Sequence, residues 1–220
     1  MDTFWSAIAI LLLACALAAA LMVRPWRLLR QSNGACALAT PLLAAVTLLP
    51  WLWAWPAHAG MPFALQWSGS ALAVLMLGWP LAVPVLAFAG LSTMLTVGAS
   101  WNDALFAIVW YGVLPATLVL SLGHAVRRLF GHSPAVYLLG RAFVVPLLAL
   151  FACTWGASMA NSQSLPDAED IRTVVAFLMA MGETSWTCVA VATLVACRPQ
   201  WLATWSDELY LSPRHPSRSL

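Results

Sequence analysis

Along this chain, long apolar runs alternate with short stretches that hold most of the charged residues. No Asp, Glu, Lys or Arg occurs between Arg30 and Asp103, a span far too long for one element of a soluble core. A helix needs about 20 apolar residues to cross a bilayer. That length predicts seven spanning segments, at roughly 4–23, 35–56, 62–79, 81–99, 104–125, 135–159 and 173–197. Between the third and fourth, Gly78, Pro80 and Pro84 interrupt the run, because proline is rejected from a helix interior. The pattern there predicts a tight turn at Gly78-Trp79-Pro80, with a re-entrant pair as the alternative. The expected fold is all-α: a polytopic transmembrane helix bundle of about seven spans, one domain over 1–200, with a short cytoplasmic tail over 201–220 that lacks the marks of packed structure.

Charge fixes the expected orientation. All ten cations are arginine. With the N-terminus outside, Arg24, Arg27 and Arg30, then Arg127 and Arg128, then Arg198, Arg214 and Arg218 fall on the cytoplasmic side, and only Arg172 falls outside the membrane, as the positive-inside rule requires. The loop 160–172, with Asp167, Glu169 and Asp170, faces outward in the same threading. The first run is expected to be a helix rather than a signal peptide, since Asp2 precedes it and the arginines follow it. Tryptophans such as Trp5, Trp26, Trp51, Trp55 and Trp101 lie near segment ends, where an amphipathic ring prefers the interface. The 62% hydrophobic content against 8% charged agrees with a multi-pass membrane protein.

Composition also narrows the chemistry. The absence of lysine removes Schiff-base chemistry and with it a retinal protein. A net charge of +2, scattered along the chain, gives no footprint for nucleic acid. Cys15, Cys36, Cys153, Cys188 and Cys197 are dispersed without a C-x-x-C pair and read as small packing residues. His58, His124, His132 and His215 sit near segment ends or in loops, where no two face each other across the bundle as haem ligation demands. Ser68 and Ser70 flank Gly69 without a histidine at their depth, so a membrane serine hydrolase is not indicated. No enzymatic activity and no cofactor are expected.

Two ionisable residues remain inside segments. Arg141 lies about 10 Å, and Glu183 about 20 Å, above the cytoplasmic ends of their helices at 1.5 Å per residue. Arg141 therefore reads either as a snorkelling side chain or as part of a polar path. Glu183 reads either as a neutral carboxyl hydrogen-bonded to a neighbouring helix or as the lining of a substrate path. On the first reading Glu183→Gln is tolerated, whereas Glu183→Ala costs about 1–3 kcal/mol. Thr187, four residues on, stacks on the same face, and Thr184 and Ser185 add hydroxyls nearby. Gly182 is expected to admit a close partner helix, and Ala14 with Ala18, like Ala16 with Ala20, repeats small residues at helix-docking spacing.

The run PFALQWSGSALAVLMLGW (62–79), the stretch MGETSWTCVAVATLVACRPQWLATWSDELYL (181–211) and the intervening 111–143 resemble the CbiM-related family of bacterial inner-membrane proteins. Members of that family are substrate-capturing permease components of energy-coupling factor transporters for cobalt and nickel. The resemblance rests most on Met181-Gly182-Glu183 with Thr187, on Arg198-Pro199 and Trp201, and on Asp207 with Tyr210-Leu211. It implies a transmembrane coupling subunit and ATPase subunits as partners, since no nucleotide-binding motif occurs in this chain. Two positions depart from the family. The chain begins Met1-Asp2-Thr3 where the family begins Met-His-Ile, and Gln66 stands where a histidine is expected. A glutamine amide is a poor substitute for imidazole around Ni²⁺ or Co²⁺, so the metal site is undetermined. The expected substrate path contains Glu183, Thr187, Gln66 and Arg141, and the expected partner-helix contact contains Ala14, Ala18 and Gly182. The alternative is a membrane protein that transports nothing and stabilises or assembles a larger complex.

Overall fold

The computed structural model describes residues 3–26, 37–58, 66–131, 133–160, 169–206 and 210. Asp2, the arginines at 27 and 30, and most of the loop 160–172 lie outside the described residues. Among the described residues every regular element is helical, with no strand. Its elements are α1 (Thr3–Met22), α2 (Ala39–His58), α3 (Ser70–Leu77), α4 (Trp79–Thr96), α5 (Trp101–Phe130), α6 (Val136–Ala160) and α7 (Glu169–Cys197). Five of these helices, α1 and α4 to α7, are long and apolar enough to cross a membrane. In hydrocarbon a helix satisfies its own backbone, which is why runs this apolar adopt no other form. The chain is a multi-pass helical membrane protein.

The second and third segments differ from their sequence expectation. Helix α2 has 20 residues, enough to span, but carries Pro50 and Pro56 inside it together with three tryptophans that lower its hydropathy. Helix α3 has only eight residues, a rise of about 12 Å against a hydrocarbon core of about 30 Å. The chain reaches α3 through Gln66–Gly69, which is not helical. The break after α3 falls at Gly78, as its glycine and the following proline predict: Gly78 takes φ 77° and ends α3 by donating to Val74 O at 2.9 Å, and α4 starts with Pro80 in its first turn.

Helix α4 is the hub, packing on α1, α2, α3 and the middle of α5. Its Leu81, Val83, Leu86 and Ala89 join Trp53, Ile108 and Val145 in the main core. Helices α5 and α6 each contain one wide π-helical stretch, at Ile108–Val113 and Val136–Val144. A proline follows each, Pro115 and Pro146. Proline offers no N–H to the carbonyl four residues earlier, and the widened turn is how the helix accommodates that loss. One consequence is that the Tyr111 carbonyl has no α-helical donor.

The described residues after α7, 198–206 and 210, fold back onto the bundle. Pro199 stops the helix at Cys197, and a short 3-10 turn, Pro199–Trp201, leads into Leu202 and Trp205, which are buried with Tyr210 against Leu75, Tyr137 and Val191. Trp205 and Tyr210 stack at 4.7 Å, and Tyr137 meets both edge-on. The domain boundary expected at 200 is thus crossed by core residues. This strap also completes the C-terminal end of α3: Ala203 N–H donates to Met76 O at 2.9 Å and the Thr204 hydroxyl donates to Leu75 O at 2.8 Å. Carbonyls at a helix end need such partners where water is excluded. Tyr137 in turn donates to Thr204 at 2.7 Å. Thr204→Val is expected to lower stability by about 1–3 kcal/mol by orphaning Leu75 O and the Tyr137 hydroxyl. Thr204→Ser should keep most of the wild-type value when each variant is unfolded with dodecyl sulfate in dodecylmaltoside micelles and followed by tryptophan fluorescence.

Candidate functional site

The site forms where α7 passes the start of α3. Glu183 is 6% exposed, and both its oxygens are engaged: Oε2 accepts from Ser68 N–H at 2.8 Å and Oε1 accepts from Gly69 N–H at 2.7 Å. These are donors just ahead of the first turn of a helix, the place where an anion is best received. Both carboxyl oxygens thus act as acceptors, and their partners are the backbone N–H groups of a non-helical run, neither a helix flank nor a side-chain acceptor. An amide at 183 has one acceptor oxygen and would turn its NH₂ toward a second N–H.

The loop that receives Glu183 is itself held on every side. Trp53 Nε1 donates to Ser68 O at 2.9 Å, joining α2 to the loop. The Ser68 hydroxyl bridges to the Ser70 hydroxyl and to the Tyr111 carbonyl, the acceptor whose α-helical donor Pro115 removes. Ser70 N–H donates back to Ser68 Oγ at 3.1 Å. Gly69 sits at φ 66°, a left-handed conformation, and a Cβ there would come 2.5 Å from Leu49 Cδ2. Glycine is the residue that meets both conditions. Four elements, α2, α3, α5 and α7, thus converge on three residues.

The expected path residues are brought together only in part. Thr187 is buried on the Glu183 face, as its spacing predicts, and Gln66 is half-buried on the same non-helical run, two residues before Ser68. Thr184 is fully buried, and its hydroxyl is the buried side-chain polar atom without a hydrogen-bond partner among the described residues. Ser185 is exposed and bonds back to Met181 O. Arg141 does not join them. It is 7% exposed, it donates to Tyr210 Oη at 3.4 Å, and its guanidinium lies 5.8 Å from the centre of the Tyr137 ring. It also packs over Gly123, where a Cβ would lie 3.1 Å from its Nε. Arg141 therefore belongs to the aromatic cluster of the strap and does not snorkel.

The small residues divide by face. Ala14 and Ala18 are exposed, while Ala20 is buried and Ala16 packs on the core. A Cβ at Gly182 would meet nothing within 4 Å, so among the described residues no helix makes the close approach expected there. No three His, Cys, Asp or Glu side chains gather into a metal-holding group among the described residues.

Sequence reasoning had no grounds to select Ser68, Trp53 or Tyr111 as partners of this site. The signals that exist are a glycine between two serines in an apolar run and a proline four residues after Tyr111. Comparison with family models, with curated proteins and with solved structures finds no match.

Proposed function

We propose that this chain is the permease-like, substrate-capturing membrane component of an energy-coupling factor type transporter. The observation that carries the reading is the Glu183 carboxylate holding the Ser68–Gly69 backbone at the start of an eight-residue half-helix. Non-helical backbone at membrane depth is retained where it is buried in protein or lines a cavity. Interrupted helices are also where membrane proteins that handle solutes assemble their sites. On this reading Glu183, Thr187 and Gln66 border the path, and Arg141 acts at a distance by holding the strap. The exposed Ala14 and Ala18 on α1, with Gly182 on α7, offer faces to the coupling subunit. The N-terminus lies outside a bacterial inner membrane, the arginine clusters lie inside, and the half-helix counts among seven inserted segments. Hydrolysis of ATP is the work of separate subunits. A transition-metal cation is the solute class that the resemblance implies.

A second reading has its own observation. Both Glu183 oxygens are occupied by backbone donors, which makes the residue a clamp and suits a protein that assembles or stabilises a larger membrane complex.

Purification of the tagged chain in mild detergent from its own membranes separates the two. The transport reading expects an ATPase and a transmembrane coupling subunit in the isolated complex, and calorimetric binding of Ni²⁺ or Co²⁺ that Glu183→Gln weakens at least ten-fold. A complex without an ATPase overturns it in favour of assembly. Co-purification of the ATPase without binding of either ion keeps transport and removes the metal.

A further inference from the structure

The buried face of α7 changes character two turns beyond the clamp. Glu183, Thr187 and Val191 recur at four-residue spacing, so they lie on one face about 6 Å apart along the axis. The first two are buried and polar. Val191 is fully buried in the apolar cluster that holds Leu75 of α3, Tyr137 of α6, and Leu202, Trp205 and Tyr210 of the strap. Helix α3 runs between the same two places, since Gly69 meets Glu183 at its start while Leu75 and Met76 meet the strap at its end. The aromatic cluster is therefore stacked on the polar section, on the side toward which α7 runs.

The strap is attached in a way that lets it leave. Trp201 N–H donates to Arg198 O and Leu202 N–H to Pro199 O, so its turns are its own. Its polar contacts with the bundle include Ala203 N–H on Met76 O, the Thr204 hydroxyl on Leu75 O, and the Arg141 guanidinium on Tyr210 Oη at 3.4 Å. None of these is a bond within a helix, so lifting the strap unwinds none. It does bare the Leu75 and Met76 carbonyls, whose α-helical donors would have been Trp79 and Pro80, beyond the break at Gly78. Carbonyls at a helix end are satisfied by a capping partner or by water. Departure of the strap and entry of water at that end of α3 are thus one event.

We infer that the strap is a gate. Docked, it closes the Glu183–Thr187 section from the end of the bundle at which α7 finishes; it opens by lifting off α3 as water takes over the two carbonyls. Arg141 and Trp205 are its latch: the first holds Tyr210, and the second stacks on it at 4.7 Å. The inference rests on the reading of Glu183 and Thr187 as the border of a path. That reading is decided separately, by the co-purification described above.

The test measures labelling of Thr187→Cys by a membrane-impermeant methanethiosulfonate, in full-length chains whose native cysteines are serine, on sealed membrane vesicles of both orientations. A second chain that keeps only Cys197, the exposed last residue of α7, identifies the vesicles whose outer face is the strap side. From that side Thr187→Cys is expected to label far more slowly than Cys197. Adding Arg141→Gln or Trp205→Ala should raise its rate about ten-fold, the change in an opening equilibrium that follows from loss of one hydrogen bond to a charged group. The rate from the opposite side should not change. Gel filtration in dodecylmaltoside selects the folded variants, and either one suffices. Labelling of Thr187→Cys as fast as Cys197 with the strap intact overturns the gate. An unchanged rate in a folded latch variant overturns it as well. Equal acceleration from both sides would mean that the latch variants loosen the whole bundle, and it too overturns a gate at one end.

Discussion

Glu183→Ala is expected to be the most damaging single substitution in this protein, lowering stability by roughly 3–5 kcal/mol. The change strips the acceptor from two buried N–H groups at once, Ser68 and Gly69. Each orphaned group costs about 1–3 kcal/mol, and more when the lost partner is charged. Within a bilayer no water replaces it. Glu183→Gln should fall between wild type and alanine, losing roughly half as much, because the amide oxygen serves one N–H while its NH₂ opposes the other. Unfolding in mixed dodecylmaltoside and dodecyl sulfate micelles, followed by tryptophan fluorescence, gives the order. A Glu183→Gln variant as stable as wild type would mean that the residue is a neutral acid and that the clamp has been drawn with the wrong protonation state.

Gly69→Ala is expected to cost roughly 2–4 kcal/mol, a large loss for one methyl group. Left-handed backbone at φ 66° is unfavourable for an L-residue by about 1–2 kcal/mol. The added Cβ also meets Leu49 Cδ2 at 2.5 Å, and overpacking of this kind costs about 1–3 kcal/mol. The two causes are separable. Removing the obstacle with Leu49→Ala should recover the steric part in the double variant, so that the pair loses less than the sum of its singles. The backbone part should remain. Strict additivity would show that Leu49 is not what confines Gly69. If the loop shifts to admit the methyl group, the Glu183 hydrogen bonds stretch with it, and Gly69→Ala should then weaken the effect of Glu183→Gln.

Much of this was legible in the sequence because the relevant forces act over short distances. An apolar run must become a helix in lipid wherever it lies in the chain, so five of the expected spans, the break at Gly78 and the helix end at Cys197 appear near their expected places. Glu183 was conspicuous for the same reason: a carboxyl that far from other charge, within a helix, needs a partner. Thr187 followed from helical periodicity alone and is buried beside it.

What the sequence left open has one common origin. A helix in lipid is apolar on every side, so hydrophobic periodicity does not say which face turns inward. That is why Ala14 with Ala18 and Ala16 with Ala20 looked equivalent until packing exposed one pair and used the other. The short length of α3 went unread although a local signal existed: Gln66-Trp67-Ser68-Gly69 ahead of it is far more polar than the SALAVLML run within it. Arg141 looked like a snorkelling residue until the strap covered it with Tyr210.

The sequence by itself determined that this is a bundle of apolar helices with one carboxyl that must be answered, since solvation in lipid is decided residue by residue. Only the tertiary structure decided that the answer comes from Ser68 and Gly69, 115 and 114 positions away, and that the C-terminal strap closes the far end of the same half-helix. Those pairings depend on which helices pack together and at what depth, and nothing local to either partner encodes that.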